Sequence, residues 1–191
     1  DYLRGLVFRE HPGLYYISNS AMGVVSGGGP YRALSPKSYF QSYGHDKFHS
    51  ERGMPNVMNY ESILLTFGTD KIEPVNTSET PNPVYGLHDY TLGGGKGSSA
   101  QAASSFNDMI EKAFGRPRDA KQFAEWAQWI NYDGYRAIFE GRSEHRRGML
   151  LWMSHSAWPS MVWQTYVYYF DPNAAYFGCK KASGPLHIQW N

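Results

Sequence analysis

The order of apolar and polar positions predicts strands that alternate with helices. Short apolar runs rich in aromatic and β-branched residues predict strands, whereas apolar positions three or four apart behind a capping residue predict helices. The predicted strands cover 14–17, 47–51 and 149–153, and another begins within 186–190. The predicted helices cover 3–8, 59–67, about 98–114, about 119–142 and 173–181.

The alternation of predicted strands and helices along the chain favours an α/β fold. Near-continuous apolar strands separated by helices are typical of a parallel sheet covered by helices. Only three or four such units are present, whereas a closed parallel barrel needs eight. We therefore expect a partial (β/α)8 TIM barrel. Two glycine- and proline-rich segments, 23–36 and 68–98, are predicted to be loops, and a loop as long as the second is often functional.

Composition and charge exclude several classes of protein. The 191 residues include 18 basic and 17 acidic side chains, and a net charge of +1 disfavours a binder of nucleic-acid phosphates. No apolar run reaches the 18 or so residues that span a membrane, and the single cysteine cannot form an internal disulfide. Aromatic residues make up 16% of the chain. They indicate either an aromatic core or rings that line a surface or cleft.

Glu51 is the leading candidate for chemistry. It ends the predicted strand KFHSE and precedes the turn RGMP, and side chains at that end of a barrel strand face the active site. Period-two alternation predicts that Lys47, His49 and Glu51 share one face, with Arg52 on the other. A carboxylate at this position could serve as nucleophile, base or metal ligand. The alternative is a surface glutamate in a salt bridge.

Tryptophans near the third predicted strand are the second candidates. Trp152 lies in the run MLLWMSHSAWP, and Trp158 and Trp163 follow it. A tryptophan at the end of a barrel strand can stack on the apolar face of a sugar ring. The alternative for Trp152 is ordinary core packing, which is harder to sustain for tryptophans in a loop.

Three other types of site are not supported by the sequence. His45 and His49 have a spacing that suits zinc only on a helix, and His49 falls in a predicted strand. The run GGGKGSS at 93–99 lacks the residue order of a phosphate-binding loop. The run Ser154-His155-Ser156 lacks the glycines of a nucleophile elbow. No metal, phosphate or serine-hydrolase site is predicted.

Four blocks of sequence resemble one enzyme family. FHSERG resembles the nucleophile motif of family 2 glycoside hydrolases, in which Ser-Glu ends the seventh barrel strand. SGGGPYRALSPKSYF, NYDGYRAIFEG and GMLLWMSHSAWPSMVWQTYVYYFDPNAAYFGCKKASGPLHIQW are similar to the exo-β-glucosaminidase and β-mannosidase-like branch of that family. Ser-Glu alone is a weak motif, but the blocks in this order span nearly the whole chain.

The resemblance implies a retaining exo-β-glycosidase fragment. Residues 1–191 would form the last three or four β/α units of the catalytic barrel, and a following β-sandwich would start at about 186–191. Glu51 would attack the anomeric carbon, and a second carboxyl group about 5–5.5 Å away would act as acid and base. That second group is expected before residue 1. The isolated chain is therefore expected to be inactive.

The resemblance also implies a sugar pocket. Trp152 would line the pocket of the terminal sugar, and His49 would orient the nucleophile. Tyr31, Trp158 and His88 are further candidates to bind substrate. No cofactor or metal is implied. The expected substrate is a terminal β-linked glucosaminide, mannoside or galactoside, and the alternative function is a non-catalytic carbohydrate-binding homologue.

The expected partners are a carbohydrate and the remaining domains of the same parent chain. Neither a nucleic acid nor a membrane is expected. Half of a barrel exposes unpaired strand edges and apolar surface, so the isolated chain is expected to self-associate. The resemblance favours a periplasmic or secreted parent protein.

Overall fold

Three parallel strands form the sheet in the computed structural model, which describes residues 2–26, 33–42, 47–75, 77, 80, 82–88, 98–141, 147–186 and 188. The strands are β1 (Val25–Ser26), β2 (Phe48–Arg52) and β3 (Gly148–Leu151). They lie in the order β1-β2-β3, and both neighbouring pairs are parallel. The predicted α/β class with a parallel sheet is confirmed.

Seven helices are described around this sheet. They are α1 (Tyr2–Glu10), α2 (Pro36–Ser42), α3 (Tyr60–Phe67), α4 (Pro83–His88), α5 (Ser98–Phe114), α6 (Ala120–Glu140) and α7 (Ala174–Ala182). The predicted helices correspond to α1, α3, α5, α6 and α7. Their starts agree with the sequence because Asn59, Asp119 and Asn173 cap α3, α6 and α7. Each cap side chain accepts a hydrogen bond from a backbone N–H of the first turn.

Four local predictions differ from the structure. Helices α2 and α4 were not predicted because each begins at a proline, which breaks helix interiors but is favoured in the first turn. The strand predicted at 14–17 is wrong: this segment forms no strand, and Tyr15 is 78% exposed. The loop predicted at 23–36 is interrupted by β1. Leu186 and Ile188 lie outside any strand, and most of the segment 186–190 lies outside the described residues.

The core lies where α6 packs against its neighbours. This helix packs against α7, α2, α5 and α3. The largest fully buried side chains include four aromatic rings and several methionines and aliphatic residues: Tyr85, Tyr135, Phe106, Phe123, Met54, Met58, Ile63 and Ile110. Other aromatic rings, such as Trp152, Trp158 and Phe170, are largely exposed. Both interpretations of the aromatic content therefore hold, in different parts of the molecule.

The described residues contain neither a membrane-spanning helix nor a cluster of metal ligands. None of their helices is both long and apolar enough to cross a membrane. Within the same residues, no three His, Cys, Asp or Glu side chains are grouped so that they could hold a metal ion.

Candidate active site

The carboxyl ends of β2 and β3 lie side by side, and each carries a predicted site residue. Glu51 is the penultimate residue of β2, and Trp152 directly follows β3. The Trp152 N–H donates to the carbonyl oxygen of Arg52 at 2.8 Å. Because the strands are parallel, both residues lie at the same edge of the sheet. Trp152 is 43% exposed and is therefore not a core residue.

The backbones that leave this edge lie very close to each other. A Cβ atom on Gly53 would overlap the carbonyl oxygen of Trp152 and lie 3.2 Å from the Cβ atom of Trp163. The Met153 N–H donates to the carbonyl oxygen of Trp163 at 2.7 Å, and the peptide bond between Trp152 and Met153 is cis. Only glycine, which has no Cβ, fits position 53 without moving one of these chains.

Ser20 contacts the Glu51 carboxylate, and sequence analysis did not find it. Its hydroxyl Oγ lies 3.2 Å from Oε1 of Glu51. The neighbouring Ser50 hydroxyl donates to the carbonyl oxygen of Ser20, also at 3.2 Å. In this contact the Ser20 hydroxyl donates and the carboxylate oxygen accepts. No motif could have indicated this pair, because the two residues lie 31 positions apart.

The predicted alternation along β2 is wrong at Arg52. A register shift between His49 and Arg52 turns both side chains to the same side, where both are buried. The Arg52 Nε donates to Nδ1 of His49 at 2.9 Å, and a second guanidinium nitrogen lies 3.4 Å from the Ser26 hydroxyl. Because Nδ1 accepts this bond, it carries no proton, and the ring's other nitrogen, Nε2, is the donor.

A stripe of polar side chains on α6 holds the segment that follows β2. Residues 53–58 are all buried, and Gln128, Asn131 and Tyr135 bond to their backbone. The Gln128 Nε2 and Asn131 Nδ2 atoms each donate to a carbonyl at 2.8 Å, and the Tyr135 hydroxyl donates to a third at 3.0 Å. Burial raises the pKa of Tyr135 well above its usual value, so the hydroxyl keeps the proton that it donates.

The structure places two further predicted residues together. The rings of His88 and Trp158 stack with centroids 5.2 Å apart, and His88 Nδ1 lies 2.7 Å from the carbonyl oxygen of Pro159. Trp158 is half exposed, whereas the other face of this cluster reaches the core through Phe67, 5.0 Å from His88. The predicted pocket residue Tyr31 lies outside the described residues.

Comparison with known proteins finds similar enzymes. No family model matches the chain. It is 27% identical over 176 residues to a mannosylglycoprotein endo-β-mannosidase of Lilium longiflorum, a match that covers 85% of the chain and 18% of that protein. It is 38% identical over 93 residues to an exo-β-D-glucosaminidase of Amycolatopsis orientalis, covering 45% of the chain and 9% of that protein.

A solved structure extends the similarity to three dimensions. A variant of the exo-chitosanase of Amycolatopsis orientalis, in complex with PNP-β-D-glucosamine, superposes with a TM-score of 0.62 at 26% identity. The match covers 85% of this chain and 20% of that one. The expected family resemblance is confirmed. The chain is similar to the exo-β-glucosaminidase and β-mannosidase-like branch of glycoside hydrolase family 2.

The two matches that cover 85% of this chain cover only about a fifth of the length of the matched proteins. The catalytic domain of its structural neighbours is a TIM barrel, and the three parallel strands are compatible with part of such a barrel.

Proposed function

We propose that this chain is the second half of the catalytic barrel of a retaining exo-β-glycosidase, comprising its last three or four β/α units. The parallel sheet and the similarity to family 2 enzymes over 85% of the chain support this proposal. Residues 1–191 then form one fragment of a catalytic barrel, and the following β-sandwich starts at about 186–191.

In the proposed mechanism, Glu51 is the nucleophile. Its ionised carboxylate attacks the anomeric carbon, forming a bond to that carbon as the bond to the leaving oxygen breaks. A second carboxyl group, supplied by the part of the protein before residue 1, protonates that oxygen and then removes a proton from the water that hydrolyses the glycosyl-enzyme. The observation that carries the proposal is the position of Glu51 beside Trp152 at one edge of a parallel sheet.

The remaining site residues take supporting roles. Trp152 presents its exposed ring to the terminal sugar, and His49 fixes the end of β2 through Arg52. His88, Trp158 and Tyr31 are proposed as further residues that bind the substrate. These assignments are proposals that substitution in the full-length enzyme can test one by one.

The proposed substrate is a glycan that ends in a β-linked glucosaminide, mannoside or galactoside. The names of the relatives support the first two sugars, and one relative is named an endo-acting enzyme. Release of monosaccharide from the end of an oligosaccharide is the expected result of product analysis. Release of larger internal fragments would contradict the exo assignment, and a panel of p-nitrophenyl glycosides identifies the sugar.

Covalent trapping tests the nucleophile. The full-length protein is incubated with 2-deoxy-2-fluoro-β-glycosides carrying a good leaving group, because the fluorine slows hydrolysis of the glycosyl-enzyme. We expect peptide mass spectrometry to find the label on Glu51, and the matched variant Glu51→Gln to be neither labelled nor active. A label on another residue, or full activity of Glu51→Gln, would overturn the assignment.

The isolated chain tests the fragment proposal. We expect 1–191 alone to hydrolyse none of these substrates and to self-associate in sedimentation velocity. A monomer at every concentration, or hydrolysis by the isolated chain, would contradict the proposal. If the full-length protein binds oligosaccharides but is neither labelled nor active, it is the non-catalytic carbohydrate-binding homologue instead.

A further inference from the structure

An aromatic cluster in the loop after β3 has no role in the proposed mechanism. The loop covers residues 152–173, and the cluster consists of His155, Tyr168 and Phe170, which we call the aromatic platform. The His155 and Phe170 rings stack with centroids 4.7 Å apart and an interplanar angle of 18°. The Tyr168 ring is nearly parallel to His155, at 6.3 Å and 11°. Phe170 is nevertheless 76% exposed.

The loop holds these rings outward because its alternate residues are anchored inward. Thr165 and Val167 are buried, and Tyr169 packs against the core, whereas Tyr168 and Phe170 are exposed. A turn closes the tip, where the Phe170 N–H donates to the carbonyl oxygen of Val167 at 2.9 Å. The platform is therefore fixed before any ligand arrives, which reduces the entropy lost on binding.

The backbone of Phe170 makes this arrangement unusual. Its φ angle is 67°, a region that bulky side chains rarely adopt. Glycine would suit the turn better, yet the position carries an exposed aromatic ring. Such unfavourable backbone conformations concentrate at ligand-binding sites, where contacts with the surrounding structure hold the residue in place.

The platform belongs to the same edge of the sheet as Trp152. His155 follows Trp152 by three residues, and its Nε2 lies 3.2 Å from the carbonyl oxygen of Tyr168, which ties the tip to the strand exit. The Ser154 carbonyl oxygen also accepts the N–H groups of Thr165 and Tyr166. These contacts connect the platform to the chain segment that carries Trp152.

We propose that the aromatic platform is a subsite for the β-linked pyranose units beyond the sugar that is cleaved off. The apolar C–H face of such a unit would stack on the exposed face of Phe170, whose other face is occupied by His155. The C–H groups on the apolar face of a pyranose can pack against an aromatic ring, which offers a large hydrophobic surface with a negative face. This inference rests on the proposed glycosidase function and specifies that its natural substrate is an oligosaccharide or polysaccharide.

The test uses the full-length enzyme and the variant Phe170→Gly. Glycine removes the ring and suits the φ of 67°, so this variant is expected to fold. The substrates are the β-glycosyl fluoride of the sugar that is cleaved, whose leaving group is too small to reach the platform, and the β-1,4-linked tetramer of the same sugar. We expect KM for the tetramer to rise about 3- to 10-fold, as loss of one stacking contact predicts, with kinetics on the glycosyl fluoride unchanged.

Two further variants complete the test. Phe170→Trp keeps a stacking face and is expected to retain the KM of the parent enzyme for the tetramer. Phe177→Ala removes a half-exposed phenylalanine from α7 and is expected to change neither substrate's kinetics. An unchanged tetramer KM in Phe170→Gly would overturn the platform proposal. Failure of the parent enzyme to hydrolyse any glycoside would instead overturn the proposed function, so the two failures are distinguishable.

Discussion

The segments that follow β2 and β3 leave the same edge of the sheet but are built in opposite ways. Residues 53–58 are buried and are held by side chains of α6. The loop 152–173 is held mainly by its own backbone and presents aromatic rings outward. The first segment can fix the position of the Glu51 carboxylate, and the second can provide a surface for the substrate. Under the proposed function, catalytic geometry and substrate contact are assigned to separate segments.

The largest loss of stability is expected when the side chain that anchors residues 53–58 is removed. Asn131 is fully buried and bonds through both ends of its amide, to the carbonyl of Pro55 and the N–H of Val57. Asn131→Ala leaves two backbone groups without partners, and we expect the free energy of unfolding to fall by about 3 kcal/mol. Urea denaturation measures this value. Asp133→Ala, on the exposed side of the same helix, should change it by no more than about 0.5 kcal/mol.

The corresponding anchor of the second loop is expected to have a smaller effect. Asn173 caps α7 with its Oδ1, and its Nδ2 donates to the Gln164 carbonyl at 3.0 Å. Asn173→Ala removes both contacts and should destabilise the protein by about 2 kcal/mol. Asn173→Ser keeps a capping oxygen but loses the Nδ2 donor, so its melting temperature should lie between those of the parent and the alanine variant. Equal losses for the asparagines 131 and 173 would remove the distinction between the two segments.

Substitution of Ser20 tests whether residues 53–58 alone fix the position of the Glu51 carboxylate. If the Ser20 hydroxyl also positions Glu51, Ser20→Ala in the full-length enzyme should lower kcat/KM about 3- to 10-fold, because one hydrogen bond to a charged group is lost. We expect the change in kcat, with KM and the melting temperature unchanged. Ser20→Thr keeps the hydroxyl and should restore most of the rate. A loss that appears in KM alone would assign Ser20 to substrate binding instead.

The smallest expected effect is a pH dependence of stability that comes from Cys179, a residue of α7 outside both segments. Burial raises the pKa of the Cys179 thiol from 9.0 to about 12. The folded state then binds this proton more tightly than the unfolded state, so its contribution to stability is complete below pH 9 and is lost as the pH rises towards 12. We expect slow reaction with thiol reagents at pH 8 and a steeper alkaline loss of stability than in Cys179→Ala. Rapid labelling of the native protein would contradict this.

The helices were more predictable than the site. Asn59, Asp119 and Asn173 are caps that depend only on neighbouring residues, so the sequence locates the starts of α3, α6 and α7. Strand 14–17 was predicted from side-chain type alone, but a strand also needs a hydrogen-bonded neighbour. Such a neighbour cannot be inferred from local pattern.

The site itself was predictable only in part. The resemblance and the turn after β2 indicated Glu51, and the parallel sheet places it beside Trp152. The contact with Ser20 depends on a chain path that no local pattern encodes. The pairing of His49 with Arg52 depends on a register shift, which alternation by twos cannot anticipate.

The missing side chain at position 53 restricts which substitutions the candidate site tolerates. Since the Trp152 carbonyl occupies the place where a Cβ would be, even alanine there would force the two strand exits apart and displace the neighbouring carboxylate. Under the proposed function, variants with an altered sugar preference should therefore leave position 53 unchanged. Libraries directed at the outward positions of the loop after β3 keep the contact between the two strand exits intact.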